Sequence, residues 1–539
     1  MKYRGKKQLR AGVCFAATLA AMPSLAQAKT EVTPYLEVAQ VLDAQIKGGN
    51  DVLTYSSVAA GVDVSVTGKR AQAQVNYRYE HRFGWGKDAQ DENIHSGLAR
   101  AAYAVVPGVL SIDAGALATR TRSDIRGDAP GLLGRSNDNV TQVYSVYGGP
   151  TLSTNVGPVQ VGAAYRLGYT AVKDNDFVPA PGQPRLGGYD DSIAHLATAS
   201  AGMAPGDALP FGWTVGAAYA REDTGELDQR FESKGVSGGV VVPVTSTVAL
   251  LGNVGYEDIQ ASQRAPLLDA GGNAVVDGRG RFVTDPASPR LLGYDFEGVY
   301  WDVGVGWKPS RRTSLEAHVG RRYGSWSYTG SFSWQTSESS NFQLGIYDQV
   351  QTFGQQLTDA LATLPTSFTM QRNPLSREFG GCTFGNGGAD AGSCLNPAFQ
   401  SVNGAVYRTR GVTALYSASR GRWNAGVGLG YAQRSFRTPN TPGVVNLNGV
   451  KDESWFGEGN IGYAIGDNSS VEASAYANLF ESGIAAAPHV LSTGVTGAYN
   501  RTFGRRLSAT AAVGLNSYQI EDQPSELNAQ ALLGMRYSF

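Results

Sequence analysis

Cysteine, methionine and histidine are all scarce: 3, 5 and 5 of them in 539 residues. The histidines (His81, His95, His195, His318 and His489) are too scattered to form a metal-ligand motif. His-Glu-x-x-His and phosphate-loop patterns are missing as well. The expectation is a chain with no catalytic role, no cofactor and no metal. A Ser-His or Asp-His site assembled from distant strands is the enzymatic alternative, and no residue singles it out. Linkers are also absent. No Pro/Ser-rich or low-complexity tract divides the sequence, which points to one domain. After the first 28 residues, no run approaches the ~20 apolar residues of a membrane-spanning helix.

What is present begins with a leader. Lys2, Arg4, Lys6, Lys7 and Arg10 precede an apolar stretch from Ala11 to Leu25, and Ala26-Gln27-Ala28 is a small-residue cleavage pattern. Residues 1–28 therefore read as a Sec signal peptide, with Cys14 a small apolar residue inside it. Its removal leaves 45 − 5 = 40 basic against 46 acidic residues, a formal charge of −6, and no nucleic-acid partner is expected. An exported chain without an apolar helix can span a membrane only as a closed barrel. The 69 glycines, 26 tyrosines and mean hydropathy below zero fit a wall in which only alternate residues meet lipid.

The last stretch carries the most information. Leu527, Ala529, Ala531, Leu533, Met535, Tyr537 and Phe539 alternate with Glu526, Asn528, Gln530, Gly534, Arg536 and Ser538, Leu532 being the one exception. Period two is the side-chain period of a strand with one apolar face. Ending the chain on Tyr537 and Phe539 resembles the C-terminal assembly signal of Gram-negative outer-membrane β-barrels, with Leu533 and Met535 completing it. That resemblance implies recognition by the barrel assembly machinery. Similar alternation recurs at Trp213–Tyr219, Trp301–Trp307 and Trp423–Tyr431, with aromatics near strand ends where membrane interfaces would need them. The core of a soluble sandwich would explain the alternation but not that placement.

Long polar loops alternate with short turns such as 68–70, 107–108 and 157–158. The reading is an all-β, single transmembrane antiparallel barrel over 29–539, with short periplasmic turns and long outer loops. Residues 337–404 are ambiguous. Phe342, Ile346, Val350, Phe353, Leu357, Leu361 and Leu364 have helical spacing, yet Phe342, Leu344 and Ile346 also alternate. Parity arbitrates. Fourteen strands precede Ser337 and seven follow, so a strand at about 341–351 restores an even count of 22, and a partly helical outer loop then follows it. Cys382 and Cys394 flank a glycine-rich dozen in that loop and suit a disulfide in an oxidising compartment.

Alternation sends Arg78, Glu80, Arg82, Arg100, Asp113, Arg166, Glu316, His318, Arg322 and Arg536 into the lumen. In the plainer reading these charges pair with one another and prop the barrel open. In the sharper one they select passing solutes, with Arg78, Arg82, Arg100 and Arg166 guiding a uronic-acid polymer.

Gly320-Arg321-Arg322-Tyr323-Gly324, followed by Ser325-Trp326-Ser327-Tyr328, resembles a corner of outer-membrane barrels that accompany PEP-CTERM/exosortase exopolysaccharide systems. The Asn341 strand and the Tyr407-Arg408-Thr409-Arg410 strand are arranged similarly. The resemblance implies a conduit or accessory element for surface exopolysaccharide export in a Gram-negative outer membrane. Its implied partners are outer-membrane lipid, lipopolysaccharide and polysaccharide export components. A general diffusion porin is the alternative. A TonB-dependent receptor has the right strand number but carries an N-terminal plug, whereas strands here begin at Val32.

Replacing Phe539 and Tyr537 with Ser is predicted to block assembly. Heat-modifiable migration of the double variant in outer-membrane fractions checks this, and normal migration counts against a barrel.

Overall fold

The computed structural model describes residues 28–85, 91–123, 140–173, 186, 188–278, 281–385, 391–484 and 487–539. The expected signal peptide lies outside them but for Ala28. The leading strands are β1 (Lys29–Lys47), β2 (Val52–Thr67), β3 (Ala71–Trp85), β4 (Glu92–Val106) and β5 (Leu110–Arg122). Next come β6 (Val140–Val156), β7 (Val159–Lys173), β8 (Asp191–Met203), β9 (Gly212–Thr224) and β10 (Gln229–Pro243). The first part ends with β11 (Val248–Gln263), β12 (Leu291–Ser310), β13 (Thr313–Arg322), β14 (Ser325–Ser337) and β15 (Ser340–Gln351). An insert follows, holding helix α1 (Phe353–Ala362) and three short strands, β16 (Phe368–Arg372), β17 (Phe379–Gly385) and β18 (Gly392–Cys394). The wall resumes with β19 (Val406–Arg420), β20 (Trp423–Arg437), β21 (Lys451–Gly466) and β22 (Ser469–Glu481). It ends with β23 (Val490–Phe503), β24 (Leu507–Ile520) and β25 (Glu526–Ser538).

All but the three insert strands form one 22-stranded antiparallel sheet. It closes where β1 meets β25, in a register running from Tyr35↔Ser538 to Gln45↔Asn528. Closure removes the unpaired edge that an open sheet would expose to lipid. The ambiguous 341–351 stretch is wall strand β15, paired with β14 and β19, and the helical half of the pattern begins at Phe353. Both periodicities were real, in consecutive segments.

The connections are asymmetric, though 48–51, 225–228 and 521–525 at the loop end are as short as turns, and two connections depart further from the expected pattern. At the short-turn end, 204–211 is longer than its neighbours. At the loop end, Tyr323-Gly324 is a two-residue turn. Both its residues have positive φ, 54° and 71°, as a type I′ hairpin turn requires. Tyrosine is costly there, and its ring is held by the Arg322 and Arg408 guanidiniums, 4.9 and 5.0 Å from its centroid, and by the edge of Phe296. The Gly-Arg-Arg-Tyr-Gly corner is thus a tight hairpin.

Outward positions carry the apolar load. Val303, Val305, Val427, Leu429, Val495, Val513 and Leu533 are exposed, and aromatic residues bracket them. Trp307, Trp334, Trp423, Phe503 and Phe539 lie toward the short-turn end, and Trp85, Trp301, Trp326 and Trp455 toward the loop end. Trp423 and Tyr431 are eight residues apart on β20. That is about 27 Å along a strand rising ~3.4 Å per residue, and less along the axis of a tilted strand. It matches the ~25 Å apolar band of barrels in outer membranes.

Candidate functional site: an occupied lumen

The insert corrects the expectation of an outer loop. Its described residues, 352–385 and 391–405, fold into the barrel. The cause is apolar: Phe353, Leu357, Leu361 and Leu364 are almost fully buried against inward-facing Leu98, Leu117, Val143 and Tyr147 of β4, β5 and β6. A ten-residue helix is marginal alone in water, so packing must supply its stability. A wall with a purely wet inner face would have offered no seat. Glycine provides clearance as well. A Cβ on Gly168 of β7 would sit 2.4 Å from Thr358 Oγ1, and one on Gly428 of β20 would sit 2.6 Å from Cys382 Sγ.

The ends of α1 are held by opposite charges from the wall. At the N-terminus, the Gln355 N–H donates to Glu222 of β9 at 3.0 Å, and the N-cap hydroxyl of Thr352 donates to the same carboxylate. Past the C-terminus, Arg100 of β4 donates to the carbonyls of Leu364 at 3.2 Å and Ala362 at 3.1 Å. An anion at the amino end and a cation at the carboxyl end complement the helix dipole. Arg100 also pairs with Asp113, 3.2 Å away, and Arg166 lies 3.8 Å from the same carboxylate.

Beyond the helix, Gln74 of β3 brackets Phe368, its amide oxygen accepting the Phe368 N–H at 2.8 Å and its nitrogen donating to the Phe368 carbonyl. Arg372 donates to Asn76 Oδ1 and Ser96 Oγ, each at 2.6 Å. Glu378 then inserts between two wall arginines, Arg120 and Arg82, which also share Glu92. Burial pushes the Glu378 carboxyl up, but Arg120 and Arg82 outweigh it and hold it below the usual range. Leu375 packs on Val41, Tyr55 and Leu532. Leu532, the apolar exception on the wet face of the last strand, is therefore a seat for the insert. Cys382 and Cys394 are joined, face each other across β17 and β18, and lie in the lumen. The Cys382 N–H donates to Glu458 of β21 at 3.0 Å. Finally Arg434 of β20, fully buried with Asp452, donates to the carbonyl and hydroxyl of Ser401 at 3.0 and 2.6 Å.

The other expected lumen charges are placed as follows. Arg78 pairs with Glu37 and Glu80, each at 2.9 Å, and Arg82 also reaches Glu80. Arg322 pairs with Glu257 at 2.6 Å, and Arg536 with Asp63 at 2.6 Å. His318 lies between Asp302 and Glu316, and Glu316 remains exposed. The early arginines are thus bonded to acids, and Arg82 and Arg100 also to the insert, so they do not form a free cationic wall. Glu222, Arg120, Glu378 and Arg434 were missed. Glu378 lay in a segment read as outer loop, while Glu222 and Arg434 carry only the ordinary alternation of a strand.

Exposure along the inner wall is graded. On β8, Ser192 and Ala194 near the loop end are buried, Leu196 is half-buried, and Thr198 and Ser200 near the short-turn end are exposed. On β9 the series runs from buried Glu222 to exposed Thr214. Toward the loop end, Phe231, Ile259, Val350 and Val406 pack together under Tyr294, Phe296 and Tyr323. The described inner face is thus packed toward the loop end and open toward the short-turn end along these strands.

A closed ring of 22 antiparallel strands, apolar outside and polar or packed within, is an outer-membrane β-barrel. No family model matches the chain, and no curated protein matches it. Among solved structures it is similar to the FrpB iron transporter of Neisseria meningitidis (F5-1 variant), at 10% identity over 94% of this chain and 82% of that chain, with a TM-score of 0.42. For the closed form of the ferric-catecholate import receptor Fiu of E. coli K12 the values are 8%, 93%, 81% and 0.45. For the siderophore receptor PiuA of Acinetobacter baumannii they are 10%, 94%, 82% and 0.42. Likenesses this slight carry no argument about what the chain binds or moves.

Changing Glu378 to Gln leaves two largely buried guanidiniums short of a counter-charge, at a cost of about 3 kcal/mol. After reduction, Cys382 and Cys394 should react with a membrane-impermeant maleimide slowly in the parent and at least about tenfold faster in the variant. Equal rates would mean that Glu378 does not secure the insert.

Proposed function

We propose that this protein is a gated outer-membrane passage, with the insert and the packed loop-end cluster as its gate and surface exopolysaccharide as its cargo. The graded inner wall carries the gating half of the reading: the inner faces of β8 and β9 pass from exposed at the short-turn end to buried at the loop end, where an apolar cluster packs. A general diffusion porin needs a passage open at both ends, so that packing weighs against the alternative. No catalytic role is proposed.

The cargo rests on the resemblance of the Gly320–Gly324 corner to barrels of PEP-CTERM/exosortase systems. A polymer would require the insert to shift, and its attachments suit that. Beyond the apolar seat of α1, polar contacts and ion pairs hold it to the wall, and water can replace these as it moves. Arg321, outward at the loop end between Trp301 and Trp326, is positioned for lipopolysaccharide phosphate. Polysaccharide export components and the barrel assembly machinery are the proposed protein partners.

Replacing 353–404 with a short Gly-Ser linker tests the gate. The parent should conduct rarely in planar bilayers, and the deletion should show large steady steps while keeping heat-modifiable migration. Steady large conductance in the parent would overturn the gate. Unchanged polysaccharide secretion in a null strain would overturn the cargo.

A further inference from the structure

A groove of about 650 Å³ runs over the lipid-facing side of the wall where the sheet closes. Small side chains make its floor. Ala509 and Ala511 of β24 lie between the larger Tyr499, Arg501 and Phe503 of β23 and Leu533 and Met535 of β25. From Met535 the pairing continues to Val38 of β1 and Val58 of β2, which also line the groove. The path climbs into the membrane. Arg501 is two residues from the short-turn end of its strand and Met535 three, whereas Val38 and Val58 are each nine residues in. Gln40 and Ser56, at the loop-end edge of the groove, bond each other at 2.5 Å and so leave it largely apolar.

Arg501 is the anomaly. It is exposed on the lipid side, two residues nearer the membrane centre than Phe503, whose ring centroid lies 5.5 Å from its guanidinium. No carboxylate among the described residues pairs with it, and the residues opposite it, Ser469 and Ala509, are uncharged. A lipid-facing arginine is costly in proportion to its depth, and an anion supplied by the membrane offsets that cost. Arg505 and Arg506 follow in the exposed turn after β23. Against these three cations stand Asp467, in the adjoining 467–468 turn, and the Phe539 carboxylate. The mouth of the groove is therefore net positive.

With the short turns in the periplasm, this end of the wall meets phospholipid, whereas lipopolysaccharide meets the other. We infer that the groove is a binding site for an anionic phospholipid, its phosphate on Arg501 and one acyl chain along Ala509, Met535, Val38 and Val58. A zwitterionic lipid offers the same phosphate but brings an ammonium to a mouth already positive, so the site selects net negative charge. The inference depends on the orientation of the barrel and not on its cargo or gate.

The test uses the full-length protein in nanodiscs of phosphatidylcholine with a minor share of phosphatidylglycerol or of lipid A, and native mass spectrometry of the lipids that stay bound. The parent is expected to retain phosphatidylglycerol over phosphatidylcholine by roughly fivefold beyond their ratio in the disc. Arg501→Gln should erase that preference. Ala509→Phe, which fills the groove at a lipid-facing position and leaves Arg501 in place, should lower the phosphatidylglycerol retained. Heat-modifiable migration confirms that each variant folds. Retention in proportion to the disc by the parent, or lipid A held as well as phosphatidylglycerol, overturns the site. An unchanged preference in Arg501→Gln overturns the role of the arginine, and unchanged retention in Ala509→Phe that of the groove.

Discussion

The interior depends on one helix held at both ends by the wall. Glu222 meets the amino end of α1 and Arg100 the carbonyls just beyond its other end, so charges from β9 and β4 fix where the insert begins and which way it runs. A helix of ten residues gains little from its own hydrogen bonds. Its position follows from the leucine stripe on Leu98, Leu117 and Val143 together with those two charged contacts. Downstream contacts at Gln74, Arg120, Glu458 and Arg434 then carry the chain across the lumen. Remove the helix and those contacts have nothing to bring their partners together.

The wall was legible because a barrel repeats one rule, apolar out and small or polar in, for every strand. Parity resolved the one stretch where two periodicities overlapped, and β15 stands where the even count required it. The inside was far less legible. Arg100, Arg78 and Glu80 were identified as inward, but alternation gives direction and not partner. It cannot distinguish an arginine facing water from one donating to Leu364. The fate of 352–405 was hidden for a related reason. A leucine stripe shows that a helix needs an apolar seat but not which surface supplies it, and that seat is divided among single residues on β4, β5 and β6. Leu532, the break in the last strand's alternation, was the visible trace of an occupied lumen.

The ionic groups do two kinds of work. Near the loop end Arg322 with Glu257 ties β13 to β11 across β12, and Arg408 with Asp348 ties β19 to its neighbour β15, beside a Tyr323 that needs support in its left-handed turn. Arg120, Arg82 and Glu378 instead join wall to insert. Losing the first kind loosens the rim, whereas losing the second frees the interior.

The insert leaves and rejoins the wall at adjacent positions, because Gln351 of β15 is paired with Tyr407 of β19. However far it travels inside, it is topologically the tip of one hairpin. Lengthening, shortening or exchanging it alters no strand order and breaks no closing pair. Ancestors and descendants of this chain could therefore trade one interior for another while inheriting the same cylinder, so that selectivity and architecture evolve on separate schedules.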